Sequence, residues 1–284
     1  MRPVQGSAYR GRQVALLTQH GKERVIAPVL DVALGCRVGR VAGYDTDLLG
    51  TFTREVPRPG TQLQAARKKA RIGMDLAGLP LGLASEGSFG PDPYAGLFSW
   101  NVEMIVWIDD TLDIEVVGVA SGKTNFSHLL TANWEEVETF ARAAGFPEHS
   151  LVARPQHEDD PRIRKDIAAW NTLREVFRWA CGEAGNGCTF LETDVRADRN
   201  PARMEKIGQA AQDLARKLCT PCPICDAPGF QLAERVPGLP CEDCGALTRE
   251  ARADIHRCVK CGHQVTVECP DKAASAGRCD FCNP

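Results

Sequence analysis

Four C-x-x-C pairs within 61 residues constrain this chain more than any other feature: Cys222 with Cys225, Cys241 with Cys244, Cys258 with Cys261, and Cys279 with Cys282. Two thiolates so spaced reach one ion from a single tight turn, and zinc prefers four of them in a tetrahedron at about 2.3 Å. A loop of 15 residues separates the first pair from the second, and one of 17 separates the third from the fourth. Such spacings are typical of zinc ribbons, so a zinc-ribbon-like module with two structural zinc ions is expected over residues 219–284. A sequential arrangement, first pair with second and third with fourth, is favoured, although a cross-braced one uses the same eight residues. Cys219, Cys269, His256 and His263 are left over, either as packed or surface residues or as alternate ligands.

Ten of the 13 cysteines lie at or beyond Cys219, which speaks for metal in a reducing compartment rather than for an oxidised scaffold. The start, Met1 to Gly11, is polar and basic, and no apolar stretch approaches the roughly 20 residues that span a bilayer. A cytoplasmic protein with no membrane partner is expected. A formal net charge of -3 gives no global pull toward nucleic acid. From Cys219 onward seven Lys/Arg face nine Asp/Glu, and each four-thiolate site adds about two negative charges after its zinc is counted. Phosphate backbones need the opposite sign, so the tail is read as a structural staple or a docking site for a protein partner before a nucleic-acid binder.

Upstream, strand and helix patterns alternate. Gln13 to Thr18 reads as a strand, followed by a helix to Leu34 that Pro28 should kink. Cys36 to Ala42 is a second strand and Tyr44 to Gly60 a long polar loop. Thr61 suits the N-cap of a helix carrying Leu63, Ala66, Ala70, Ile72 and Met74, with Arg67, Lys68, Lys69 and Arg71 along its polar side. Leu81 to Ser85 is a strand running into a loop, and Val102 to Ile108 with Leu112 to Ala120 forms a hairpin. A capped helix from Asn133 to Gly145, a strand over Ser150 to Arg154, an amphipathic helix through Ile167, Trp170, Leu173, Phe177 and Ala180, a strand over Cys188 to Glu192 and a last helix opened by Asn200-Pro201 complete the pattern. The expected architecture is α/β: one domain over residues 1–218, a mixed sheet covered by helices on both faces.

Three segments at strand ends, where open α/β sheets collect ligands, are candidates for chemistry. Thr18-Gln19-His20-Gly21-Lys22 sets backbone N–H groups and a lysine at a helix start, an anion site or else a surface turn. Asp45, Asp47 and Glu86 are hard oxygen donors suited to magnesium held against substrate phosphates, although Asp45 and Asp47 also suit capping or turn roles. Asp194 and Arg196, then Arg203 after Asn200-Pro201, provide an acid and two guanidinium forks for a carboxylate or phosphate, unless Asp194 and Arg196 simply pair with each other. The resulting hypothesis is a magnesium-dependent hydrolase of a phosphorylated small molecule. Catalytic roles fall to Glu86, Asp45, Asp47 and Asp194, and substrate contacts to Lys22, His20, Lys69, Arg196 and Arg203. Its rival is a non-enzymatic sensor of a small anion.

His20-Gly21-Lys22-Glu23, Asp45-Thr46-Asp47 with Gly50-Thr51-Phe52, Ser85-Glu86-Gly87-Ser88-Phe89-Gly90, Thr193-Asp194-Val195-Arg196-Ala197 with Asn200-Pro201, and Gly238-Leu239-Pro240-Cys241 together resemble a bacterial family catalogued as domain of unknown function 6671. That resemblance covers nearly the whole chain and implies no activity. Residues 13 to about 120 show a weaker resemblance to the inosine triphosphate pyrophosphatase and xanthosine triphosphatase group, in the turn Thr18 to Lys22, the Lys69-Ala70 helix and the acidic Glu86. It implies a nucleoside triphosphate substrate. Where that group has an asparagine in the first turn this chain has His20-Gly21, and where it has paired aspartates this chain has Ser85-Glu86.

Overall fold

The computed structural model describes residues 8–50, 53, 56 and 59–284; Thr51 and Phe52 of the long polar loop lie outside the described residues. Strand β1 (Gln13–Leu17) is buried at every position after Gln13, as expected of a central parallel strand. Helix α1 (Glu23–Leu34) runs through Pro28 and ends at Gly35 in the left-handed conformation. Strand β2 (Arg37–Val41) then pairs parallel to β1. A short 3-10 turn, Thr46–Leu49, interrupts the polar loop before α2 (Gln62–Ala77). Thr61 caps α2 reciprocally: its hydroxyl accepts from Gln64 N while the Gln64 side chain accepts from Thr61 N.

Strands β3 (Leu81–Pro91), β4 (Ser99–Asp109) and β5 (Ile114–Lys123) complete a five-stranded mixed sheet in the order β2-β1-β3-β4-β5. β1 and β3 run parallel, while β3, β4 and β5 form antiparallel hairpins. The expected mixed α/β class is present, but its strands are divided between two sheets. The second sheet is antiparallel throughout and contains β6 (His128–Thr131), β7 (Leu151–Pro155), β8 (Arg164–Ile167) and β9 (Thr189–Thr193) in the order β6-β9-β7-β8. Helices α3 (Trp134–Ala144) and α4 (Trp170–Glu183) cover it, and α5 (Pro201–Leu218) returns to the first sheet. Ile167 therefore belongs to β8 and not to the helix its spacing assigned it to.

Alternation along β3 and β4 explains how both faces of the first sheet are filled. Leu81, Leu83, Ile105 and Trp107 pack with α1 and α5, whereas Ala84, Val106 and Ile108 meet Ala66, Ala70 and Met74 of α2. Glycine is needed at Gly82, where an added Cβ would fall 2.3 Å from the Met74 side chain.

The tail from Cys219 is a three-stranded antiparallel sheet of β10 (Phe230–Pro237), β11 (Ala251–Cys258) and β12 (Gln264–Glu268). Its cysteine turns sit at opposite ends. Val259, in the turn after β11, packs against the apolar cluster of the first sheet and so roots one end of the module on the body.

Candidate functional site

Eight cysteines form two tight groups. Cys222, Cys225, Cys258 and Cys261 make one, and Cys241, Cys244, Cys279 and Cys282 the other, with all sulfurs of a group within 4.8 Å of one another. The arrangement is cross-braced, which corrects the favoured sequential pairing. The physical reason is β10: its eight residues, rising ~3.3 Å each, carry the chain roughly 26 Å from the first turn to the second. Antiparallel β11 brings Cys258 back opposite Phe230, beside the first turn. Cys219, Cys269, His256 and His263 belong to neither group.

A tetrahedron with arms of about 2.3 Å has edges of roughly 3.8 Å. The sulfur pairs Cys222–Cys261, Cys225–Cys258, Cys241–Cys282 and Cys244–Cys279 lie 3.7, 3.6, 3.8 and 3.6 Å apart, so the donor set fits a zinc-sized cation. Backbone N–H groups of Lys260 and Cys261 point at the Cys258 sulfur, both at 3.4 Å. Burial opposes ionisation at Cys258, yet these N–H groups outweigh it and hold the thiol at about 7. Cys279 is also lowered to about 7, by the N–H groups of Cys282 and Phe281.

The second assembly is a cleft beyond the end of β1, enclosing about 640 Å³ of space including the solvent at its mouth. It gathers His20, Lys22, Asp47, Lys69, Glu86, Arg196 and Arg203, although they come from five separate stretches of chain. Lys165, from β8 of the second sheet, also lines it and had no signal in the sequence beyond its charge. Asp45 and Asp194 stand behind the cleft. Asp45 accepts from Asp47 N and from the Gln19 amide, the capping role of such a residue. Asp194 is buried and grips Arg196 at 2.6 Å, while Asp166 holds the same guanidinium at 3.0 Å.

Glu86 is not at a strand end, because β3 continues through Pro91 as a hairpin with β4 after its parallel pairing with β1 stops at Leu83. Its side chain points with Ala84 toward α2 and meets Lys69 Nζ at 3.0 Å. Lys69 is correspondingly on the buried side of α2, in phase with Ala66, Ala70 and Gly73, and not on the polar side with its neighbours. Arg67 and Arg71 do lie outward, pairing with Glu115 and Asp110. Burial alone would raise Glu86, but the charges of Lys69, Lys22 and Arg203 prevail and hold it below the usual carboxylate range.

On the opposite face of β3, Arg203 and Glu103 form an ion pair of 2.8 Å with both side chains buried. Gly87 makes room for it, since a Cβ there would lie 2.4 Å from Glu103 Oε1 and 2.6 Å from Arg203 Nη2. Arg203 also reaches the Val195 carbonyl and stands over the Phe89 ring. Glu103 escaped sequence reasoning, yet its phase with Ile105 and Trp107 placed an acid on a core face that required a cation. Lys22 is buried and contacts the Ser85 carbonyl at 3.4 Å. That burial, then the nearby Arg203 charge, lowers its ammonium to about 8.

The expected magnesium ligands do not assemble, because Asp45 caps, Asp47 faces His20 and Glu86 is tied to Lys69. Among the described residues, the groups of three or more metal-ligating side chains within reach of one ion are the two cysteine clusters. Among the same residues, no helix is long and apolar enough to cross a membrane.

No curated protein matches the chain. Residues 69–284 match the family model described as Domain of unknown function (DUF6671), a span that contains Lys69, Glu86, Glu103, Lys165, Arg196, Arg203 and all eight clustered cysteines. The chain belongs to that family of unknown function.

Proposed function

We propose that the cleft binds a phosphorylated small molecule and hydrolyses a phosphoryl bond in it, while the cysteine module is a zinc-stapled docking element for a protein. One observation carries the first part: Lys22, Lys69, Lys165, Arg196 and Arg203 converge on one cleft that also presents the turn 18–22. Phosphate oxygens are the ligands such a set recognises, through charge-assisted hydrogen bonds and backbone N–H groups. Nucleoside triphosphates are candidates through the likeness of the first turn and of the Lys69 helix to the inosine and xanthosine triphosphatases.

A non-enzymatic anion sensor is the second reading, and the commitment of Glu86 to Lys69 favours it. Calorimetric titration of the zinc-loaded protein with inorganic pyrophosphate, nucleoside triphosphates and sugar phosphates, followed by phosphate-release assays with and without magnesium, separates the two. Binding that weakens with salt, disappears in Lys69→Ala and leads to release supports hydrolysis. Binding without release on any member assigns the sensor, and no binding at all removes both.

For the module, the excess of acidic over basic residues and the exposed Ile224, Leu247 and Phe281 support a protein partner over nucleic acid.

A further inference from the structure

His20 stands between two carboxylates that differ in what they face. Its Nδ1 lies 3.3 Å from Asp198, and its Nε2 lies 3.6 Å from Asp47. Asp47 lines the cleft and Asp198 does not. Asp198 belongs to the short 3-10 turn Ala197–Arg199 that follows β9, so the second sheet supplies the outer support of a ring carried by the first. The histidine also holds a left-handed backbone conformation, φ +61°, which an ordinary side chain adopts at a cost and which orients it into the cleft.

A neutral imidazole has one N–H and one lone pair. Both carboxylates accept only, and Asp198 is the nearer, so it favours the tautomer with the proton on Nδ1 and leaves the Nε2 lone pair on the Asp47 side. Two acceptors then face each other across 3.6 Å at the cleft wall. A molecule with two O–H donors satisfies both, and a water is the smallest such molecule.

We propose that His20 is the general base of the cleft, with Asp198 as its positioning residue and Asp47 as the second acceptor that orients the attacking water. This rests on the reading of the cleft as a phosphoryl hydrolase. Nε2 takes a proton from the water as its oxygen bonds to phosphorus, and the bond from phosphorus to the bridging oxygen breaks. The electron pair of that bond leaves with the bridging oxygen. The proton stays on an imidazolium flanked by Asp47 and Asp198, two charges that stabilise it. The charged groups acting on the ring are Asp198, Asp47, Lys22 of its own turn and Arg196 beside the second sheet. Burial keeps His20 below the ordinary histidine value despite both carboxylates, so the basic form is present at neutral pH.

Three measurements on the zinc-loaded full chain test this, with inorganic pyrophosphate and inosine triphosphate as probes. In the first, nitrogen NMR of the wild-type ring is expected to show the Nδ1–H tautomer, shifting toward a mixture in Asp198→Asn; a protonated Nε2 with bare Nδ1 would overturn the proposal without any need for turnover. In the second, His20→Asn, which tolerates the left-handed backbone, is expected to bind pyrophosphate within about threefold of wild type while kcat falls ~100-fold or more. Undiminished kcat in that variant overturns the assignment. In the third, the acid limb of the kcat/KM profile is expected below the ordinary histidine range and to vanish in His20→Asn; an unchanged limb also overturns it. Wild type that fails to bind either probe sinks the hydrolase reading itself, whereas wild type that binds both without turnover sinks the catalytic role and leaves an anion site.

Discussion

The α/β body and the cysteine module reach ordered structure by different means. In the body, three apolar clusters fill both faces of the first sheet and one face of the second. In the module, all five residues of β12 are exposed, Val267 by half, and Val259 packs into a cluster that belongs to the body. What the module has in place of a core is two tetrahedra of sulfur at its two ends. The difference teaches where each region is vulnerable: the body to loss of volume, the module to disruption of its two sulfur clusters.

Removal of zinc should produce the largest effect. Complete chelation is expected to abolish hydrogen-exchange protection in β10, β11 and β12, since structural zinc contributes on the order of 10 kcal/mol in small metal-stapled units. The strands of the first sheet should keep theirs, and protection retained in the module would break the comparison. Next, Leu83→Ala should cost about 2–5 kcal/mol in denaturant unfolding because the site is fully enclosed. Val267→Ala should stay within about 0.5 kcal/mol, and equal costs would show that the module has a real apolar interior.

A smaller effect separates the cleft from the rest of the body. Gly87→Ala should destabilise by about 1–3 kcal/mol, because the new methyl intrudes on Glu103 and Arg203, and should weaken pyrophosphate binding in the same titration. A neutral outcome would mean that the buried pair has room to shift.

The mildest test is pH. Lys22, held near 8, keeps its proton below that value and sheds it above. Anion affinity should therefore be full below about pH 8 and fall by roughly tenfold per unit as pH rises through it, after correction for the ligand's own titration. Lys22→Met should flatten the profile, and a flat wild-type curve would remove Lys22 from the contacts.

Local chemistry was legible in the sequence, and long-range pairing was not. Thr61, Asn133, and Asn200 with Pro201 mark helix starts because caps are satisfied within a few residues. The eight cysteines were equally plain, because each C-x-x-C turn is local. Which turns share an ion depended on the length and direction of β10, and spacing alone is silent on both. β3 was cut short at Ser85 because Gly87, Gly90 and Pro91 read as loop, yet Gly87 is there to admit the ion pair behind it. Most of the cleft was anticipated by residue type, as with Lys22, Lys69, Glu86, Arg196 and Arg203. Lys165 was not, since it arrives on a second sheet that the alternating pattern merged with the first, and Asp198, on the turn after that sheet's β9 and behind the cleft, was missed with it.

The interleaved order of the cysteine pairs has a consequence for inheritance and for engineering. Along the chain, a turn of one cluster always lies between the two turns of the other, so no single cut leaves a complete four-sulfur set on each side. Splitting the tail therefore never yields two loaded units: at most one four-sulfur set survives a cut, and the piece that keeps it also carries an orphaned C-x-x-C pair of the other.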